Sequence, residues 1–227
     1  MLYSARKAIS GYLSTMSRDE HRNDIMNLAV LASHEGTTLQ TVIDACADGR
    51  IPARVVVVIS NNSTSTALDR ARQAGIRGVH LSSTTHDSPE ALDVAIRNAL
   101  VESGADLVFL AGYMKRIGPL VLETFRGRIL NTHPALLPKF GGQGMYGDHV
   151  FKAVLEANEA ESGVSLHLVD PEYDTGPVVR QCTVDILPHD SVETLKARVR
   201  AREKEFVVES LAQIARGELT LNPRSRA

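Results

Sequence analysis

Asn131-Thr132-His133-Pro134 sets an amide and an imidazole two residues apart. The apolar run leading into it, Arg128 to Asn131, reads as a short strand. Side chains alternate along a strand, so Asn131 and His133 project from one face at its carboxyl end. An amide N–H and a ring N–H placed in that way can converge on a single oxygen as it gains negative charge. A histidine in front of a proline equally suits a purely structural role. Further along, Asp170-Pro171-Glu172-Tyr173-Asp174-Thr175-Gly176-Pro177 gathers carboxylates between prolines and a glycine. A carboxylate from this stretch could hold a nearby imidazole protonated. The residues alone also fit a polar hairpin turn, and the spacing is not that of an EF-hand calcium loop.

Two glycine-containing stretches bear on phosphate chemistry. Ser33-His34-Glu35-Gly36-Thr37-Thr38 joins an apolar run to a helical pattern. Its glycine and threonines can offer backbone N–H groups and hydroxyls to an anion at a helix start. An ordinary helix start satisfies the same residues, and the Gly-Lys-Ser/Thr ending of a P-loop is absent. Gly142-Gln143-Gly144-Met145-Tyr146-Gly147 matches the GxGxxG dinucleotide pattern. The two prolines of Pro134 to Phe140 make the preceding segment a poor strand, so this is read as a loop or lid.

The elements that must position these groups alternate. Leu28 to Ala32, Arg54 to Ile59, Gly78 to Leu81 and Asp106 to Ala111 are strand-like apolar runs. Between them, Thr37 to Ala47, Thr66 to Ala74 and a segment from Ser88 to about Glu102 carry helical spacing. Ser88 and Pro89 supply the cap and first turn of the last of these. The βα alternation with continuously apolar strands predicts an α/β fold, a mostly parallel sheet flanked by helices. Val164 to Val169 and Val178 to Ile186 follow as late strands expected to pair antiparallel. A long helix from Ser191 to Ala215 closes the domain. In such sheets ligands bind beyond the carboxyl ends of the strands, which places the loops after Ala32, Ile59, Ala111 and Leu130 together.

Composition removes whole classes of function. Lys and Arg number 25 against 27 Asp and Glu, a net charge of −2, which disfavours a nucleic-acid partner. Aromatic residues are 4% with no tryptophan, too few for base-stacking platforms. No apolar run approaches the ~20 residues that span a bilayer, so no membrane partner is expected. Cys46 and Cys182 lack any CxxC spacing and are read as buried apolar residues in a reducing compartment, with neither a zinc site nor a disulfide. Residues 1–17 hold Arg6, Lys7 and four serines without an acid, and residues 1–26 are read as an N-terminal extension rather than a transit peptide. The domain is expected over 27–221, with 222–227 as a tail.

Three blocks in this order carry a resemblance. They are Leu110-Ala111-Gly112-Tyr113-Met114-Lys115-Arg116-Ile117, then Ile129 through Phe140 with its Asn-x-His-Pro core, then Gly163 to Val169 running on to Asp174-Thr175-Gly176-Pro177. Together they resemble the folate-dependent glycinamide ribonucleotide formyltransferases, from about Asn27 to Leu221. The resemblance implies a Rossmann-like formyltransferase fold in the cytoplasm, working in purine biosynthesis. It implies 10-formyltetrahydrofolate as co-substrate, no metal, and small-molecule partners, with a homodimer left open. By similarity Asn131, His133 and Asp174 form the catalytic set. Gly36, Thr37, Thr38 and Glu203 fall on the ribonucleotide subsite. Met114, Lys115, Arg116, Ile117, Asn131, Asp170 and Asp174 fall on the folate pocket, with His167 beside it. The first turn departs from the family's usual Ser-Gly-x-Gly followed by Ser or Thr and then Asn. Here a histidine replaces the first glycine, a threonine the asparagine, and Glu35 adds a negative charge.

Overall fold

The computed structural model describes residues 25–221. The expected tail, and all of the expected extension except Ile25 and Met26, lie outside those residues. Seven strands form one sheet in the order β3-β2-β1-β4-β5-β6-β7. They are β1 (Met26–Leu31), β2 (Ala53–Ser60), β3 (Arg77–His80), β4 (Leu107–Leu110), β5 (Ile129–His133), β6 (Glu161–Leu168) and β7 (Val178–Asp185). The first five are mutually parallel, while β6 runs antiparallel to β5 and β7 antiparallel to β6. This is the mixed sheet the sequence predicts. Met26 already belongs to β1, one residue before the expected start of the domain.

The helices are α1 (Thr37–Ala47), α2 (Thr66–Gln73), α3 (Pro89–Glu102), α4 (Pro119–Thr124), α5 (Asp148–Glu156) and α6 (Val192–Ala215). One face of the sheet packs against α1, α2, α5 and α6, around Leu28, Val30, Leu130, Leu166 and Phe206. The other packs against α3 and α4, around Leu31, Val57, Val108, Ile129 and Phe125. Strand alternation assigns these faces: Ile129 and Leu130 enter opposite cores. The Ser88 hydroxyl accepts from the Ala91 N–H, and Ser191 and Thr194 form a reciprocal cap at the start of α6.

Two helices went unread in the sequence. α4 has only six residues, and α5 follows the glycine-rich loop that hides its start. Its buried Val150, Phe151 and Val154 nonetheless carry the helical spacing. β6 begins at Glu161 rather than after Gly163, because Gly163 is a mid-strand residue. A Cβ there would run into the Cys182 carbonyl and the Leu136 side chain. The glycine serves close approach of chains, not a turn. Cys46 and Cys182 are both unpaired, and both are half-buried rather than buried.

Candidate active site

Strand order reverses between β1 and β4, and the loops leaving their carboxyl ends meet there. Ser33 ties them. Its buried hydroxyl donates to the Asn61 amide oxygen and accepts from the Met114 N–H at 2.8 Å, joining the loops after β1, β2 and β4. Replacing Ser33 by Ala strands both partners. We expect a loss of about 1–3 kcal/mol in stability, read as a melting temperature several degrees lower. An unchanged melt would show that water takes over both contacts.

One strand further, β5 carries Asn131, Thr132 and His133. Asn131 and His133 lie on the α3/α4 face and Thr132 on the α1/α6 face, as alternation requires. Asn131 stands opposite His167 of β6, and His133 opposite Ser165. Asn131 Nδ2 donates to His167 Nε2 at 3.0 Å, and His167 Nδ1 donates to the Leu168 carbonyl at 2.9 Å. The segment after His133 is clamped by Ser165. Its hydroxyl donates to the Ala135 carbonyl and accepts from the Leu137 N–H, with Gln181 bonded to both Ser165 and the Leu137 carbonyl.

Asp174 reaches this group from the loop between β6 and β7. Its carboxylate lies 3.4 Å from His133 Nδ1 and 3.5 Å from His167 Nε2, and it accepts from the Gly142 N–H at 3.0 Å. The glycine-rich segment thus enters the site through a backbone donor and forms a loop, as read from its prolines. Asp174 sits in the left-handed region, φ 57°, a conformation Asp tolerates better than most residues. Gly176 follows where a side chain would strike the Leu168 carbonyl.

Burial pushes the Asp174 carboxyl up, but His167, His133 and the Gly142 N–H outweigh it and hold the group below the usual carboxylate range. His133 goes the other way from expectation. Burial lowers its pKa and outweighs Asp174, which pulls it up as the sequence reading anticipated. The His133 side chain is only 4% exposed, which is why desolvation prevails. His133 is therefore neutral at rest. Its Nε2–H donates to the Phe140 carbonyl at 2.6 Å, leaving the Nδ1 lone pair toward Asp174.

Beside this cluster is a cavity of about 60 Å³, lined by Leu110, Tyr113, Ile117 and Val169 together with Asn131, His167 and Asp174. Lys115, Arg116 and Asp170 also line it. Arg116 clasps its two loops together, pairing with Glu172 at 2.8 Å and lying 4.8 Å over the Tyr173 ring. Met114 stands apart. Its side chain is largely exposed, and only its backbone is tied, to Ser33.

The anion-binding reading of the first turn has support in the backbone. Gly36 has φ 65°, and a Cβ there would sit 2.9 Å from that of Ala67, so both conformation and space require glycine. No side chain caps α1, whose first N–H groups, at Thr37 and Thr38, have no partner within the helix. Glu35 is exposed. The sequence reading missed Arg70 of α2. Its guanidinium donates to the Glu35 carbonyl at 2.8 Å and to the Gln40 side chain at 3.0 Å, placing a positive charge beside the turn. A basic residue at the fifth position of α2 was visible, but its reach across to α1 was not. Glu203, on α6, accepts from the Thr132 hydroxyl at 2.6 Å, and burial pushes its carboxyl up.

The formyl transferase profile matches residues 26–211, which takes in every strand and nearly all of α6. The chain belongs to the formyl transferase family. Among formyl transferases, it is 41% identical over 195 residues to the phosphoribosylglycinamide formyltransferase of Haemophilus influenzae, covering 86% of this chain and 89% of that protein. The Escherichia coli phosphoribosylglycinamide formyltransferase is 37% identical over 197 residues, covering 87% and 91%. The crystal structure of glycinamide ribonucleotide transformylase 1 from Symbiobacterium toebii superposes with a TM-score of 0.81 at 38% identity, covering 88% of this chain and 92% of that one. The fold of this formyl transferase is thus the α/β fold with the antiparallel late strands of its relatives.

Proposed function

We propose that this formyl transferase moves the formyl group of 10-formyltetrahydrofolate to the primary amine of 5-phosphoribosyl-glycinamide. The products are formylglycinamide ribonucleotide and tetrahydrofolate, in de novo purine biosynthesis. The observation that carries this reading is the cluster at the carboxyl end of the sheet in which His133 faces Asp174 and Asn131 joins them through His167. The names of the relatives supply the acceptor.

The amine attacks the formyl carbon, and the carbonyl oxygen becomes an oxyanion in a tetrahedral adduct. The Asn131 amide is the donor for that charge, and His133, once it has taken a proton on Nδ1, adds a positive charge beside it. The attacking nitrogen sheds a proton, which the gap between His133 Nδ1 and Asp174 can take up and return to the departing folate nitrogen. Collapse of the adduct breaks the bond from the formyl carbon to that nitrogen. We assign the folate subsite to the cavity lined by Leu110, Tyr113, Ile117 and Val169 with Asn131, Asp170 and Asp174, and Arg116, paired with Glu172 and lying over Tyr173, forms part of its wall. Gly36, Thr37, Thr38 and the neighbouring Arg70 suit the acceptor's phosphate. The unpaired cysteines fit a reducing compartment, and we assign the cytoplasm.

The test is formylation of the ribonucleotide by purified protein supplied with 10-formyltetrahydrofolate, with formate release measured alongside. Formylated product at a rate that depends on the ribonucleotide supports the reading. Formate release at full rate without it would mark a hydrolase instead. Within the same assay, Thr37→Ala and Thr38→Ala should each raise KM for the ribonucleotide several-fold with kcat little changed, the pattern of lost ground-state binding. Glu35→Gln should leave KM unchanged or slightly lower, because the side chain points to solvent. Loss of activity in Glu35→Gln would mean the turn recognises something other than a phosphate.

A further inference from the structure

Asp174 by itself would put the His133 proton on the wrong nitrogen for a base. A neutral imidazole beside a carboxylate donates from the nitrogen that faces it. His133 does the opposite. Its Nε2 lies 2.6 Å from the Phe140 carbonyl oxygen, which can only accept, so Nε2 carries the proton. Nδ1 is left bare and faces Asp174 Oδ2 at 3.4 Å. A lone pair set against an anionic oxygen is repelled, and the separation is longer than that of a good hydrogen bond. The tautomer is therefore fixed by something other than Asp174.

Three residues cross the pair as a strap. At one end the Phe140 carbonyl accepts from His133, and at the other the Gly142 N–H donates to Asp174 Oδ2 at 3.0 Å. Oδ2 is the same oxygen that faces Nδ1, so this N–H offsets part of the charge the lone pair meets. The strap is anchored on its own. Phe140 sits at φ 56°, in the left-handed region that an aromatic residue rarely adopts, and its side chain packs against the core that α5 and α6 cover. Lys139 pairs with Glu159 at 2.8 Å, and Ser165 clamps Ala135 and Leu137. Between the two ends, Gly141 has no room for a side chain. A Cβ there would strike Leu137 Cδ2 and stand 3.2 Å from Asp174 Cβ. Its backbone lies outside the left-handed region, so space alone demands the glycine.

We propose that the strap from Phe140 to Gly142 makes His133 a base, by holding the ring proton on Nε2 and keeping Nδ1 open, and that Gly141 is the positioning residue that lets it close. An N–H bond of the attacking amine breaks, its electron pair stays on that nitrogen, and the proton bonds to Nδ1. The same proton later leaves Nδ1 for the departing folate nitrogen. Gly141 supplies no reacting atom. Its effect runs through two backbone hydrogen bonds and falls on proton uptake, hence on kcat and not on binding of either substrate. The identity of the amine rests on the formyl-transfer reading of the site, whereas the tautomer can be measured without a substrate.

The experiment reads the ring nitrogens of His133 by nitrogen NMR, at a pH well above 6.5, where the ring is neutral. Wild type, Gly141→Ala, Leu137→Val and the double variant are compared, and the same proteins are assayed by steady-state kinetics. The His133 signals are those absent from His133→Gln. Wild type should show one tautomer, protonated on Nε2. Gly141→Ala should move a large share of the ring to the Nδ1 tautomer and lower kcat about tenfold or more, with both KM values within about twofold. Leu137→Val alone should keep the wild-type tautomer. Combined with Gly141→Ala it removes the methyl that the new Cβ strikes, and should restore the Nε2 tautomer and most of kcat. A wild-type ring protonated on Nδ1 would overturn the proposal. So would a Gly141→Ala protein with an unchanged tautomer, losses that fall on KM, or a double variant no better than Gly141→Ala. Should Gly141→Ala not fold, the wild-type spectrum and the double variant decide. A wild type that holds the Nε2 tautomer yet does not formylate the ribonucleotide sinks the functional reading and leaves the strap's hold on the ring standing.

Discussion

His133→Ala is expected to lower kcat by about 100-fold or more, with the fold retained. The magnitude follows from the loss of a positive charge beside a developing oxyanion, an electrostatic loss of the kind that costs about 10²–10³ in rate in comparable acyl-transfer sites. His133 also takes part in proton movement with Asp174, so its removal strikes two functions together. The imidazole is buried, and its Nε2–H is the donor to the Phe140 carbonyl. Truncation therefore leaves a small cavity and an unsatisfied carbonyl, at about 1–3 kcal/mol of stability for the latter. Loss of rate must be separated from loss of fold, and His133→Gln does so by restoring an N–H donor at about the reach of Nε2 without a titrating ring. Both variants should be folded by circular dichroism, and both should be slow. Retention of more than a tenth of wild-type kcat by either corresponds to under ~1.4 kcal/mol of transition-state stabilisation, too little for the role assigned.

The parts of this molecule that one sequence discloses are those decided locally. Valine runs flanked by turn residues announced β2, and the Ser88-Pro89 start announced α3, because each signal lies within a few residues of the element it specifies. The late strands were legible as strands, and their antiparallel pairing followed from the general behaviour of sheet edges. What stayed hidden depends on contacts between distant positions. Ser33 bonds Met114 across 81 residues, and neither residue type marks itself as a partner of the other. Arg70 and Glu35 are 35 apart, so the turn looked more acidic in sequence than it is in space. The same limit explains His133. Its position on a strand end was readable, and so was a carboxylate to pair with it. Its depth of burial, which decides its resting charge, depends on how the Ala135 to Phe140 segment folds over it. His133 and Asp174 meet directly and Asn131 joins them through His167, while Met114 is exposed and is not among the residues that line the cavity.

Asp174→Asn is expected to be nearly as damaging, and its pH behaviour identifies the cause. The carboxylate performs three tasks: it accepts from Gly142, faces His133 Nδ1, and faces His167 Nε2. Asparagine can still accept from Gly142 through its amide oxygen, so the glycine-rich loop should keep its place. It cannot share a proton with the imidazole or offset a positive charge there. kcat should fall by about 10²-fold, the lower range for a positioned acid–base group. The direction of the pH shift follows from the signs at His133. Burial lowers its pKa from the ordinary value of 6.5, and the Asp174 charge raises it. Removing that charge leaves burial less opposed, so the His133 pKa falls further. If neutral His133 must take up the proton, activity declines as pH drops through that pKa, and in Asp174→Asn the acid limb of the kcat profile moves to lower pH. A variant that only misplaced the loop would lose rate at every pH with the limb unmoved. Measuring kcat from about pH 5 to 8.5 for wild type and variant distinguishes the two. A limb that stays put or moves to higher pH would show that Asp174 acts through the backbone it holds and not through the charge it presents to His133.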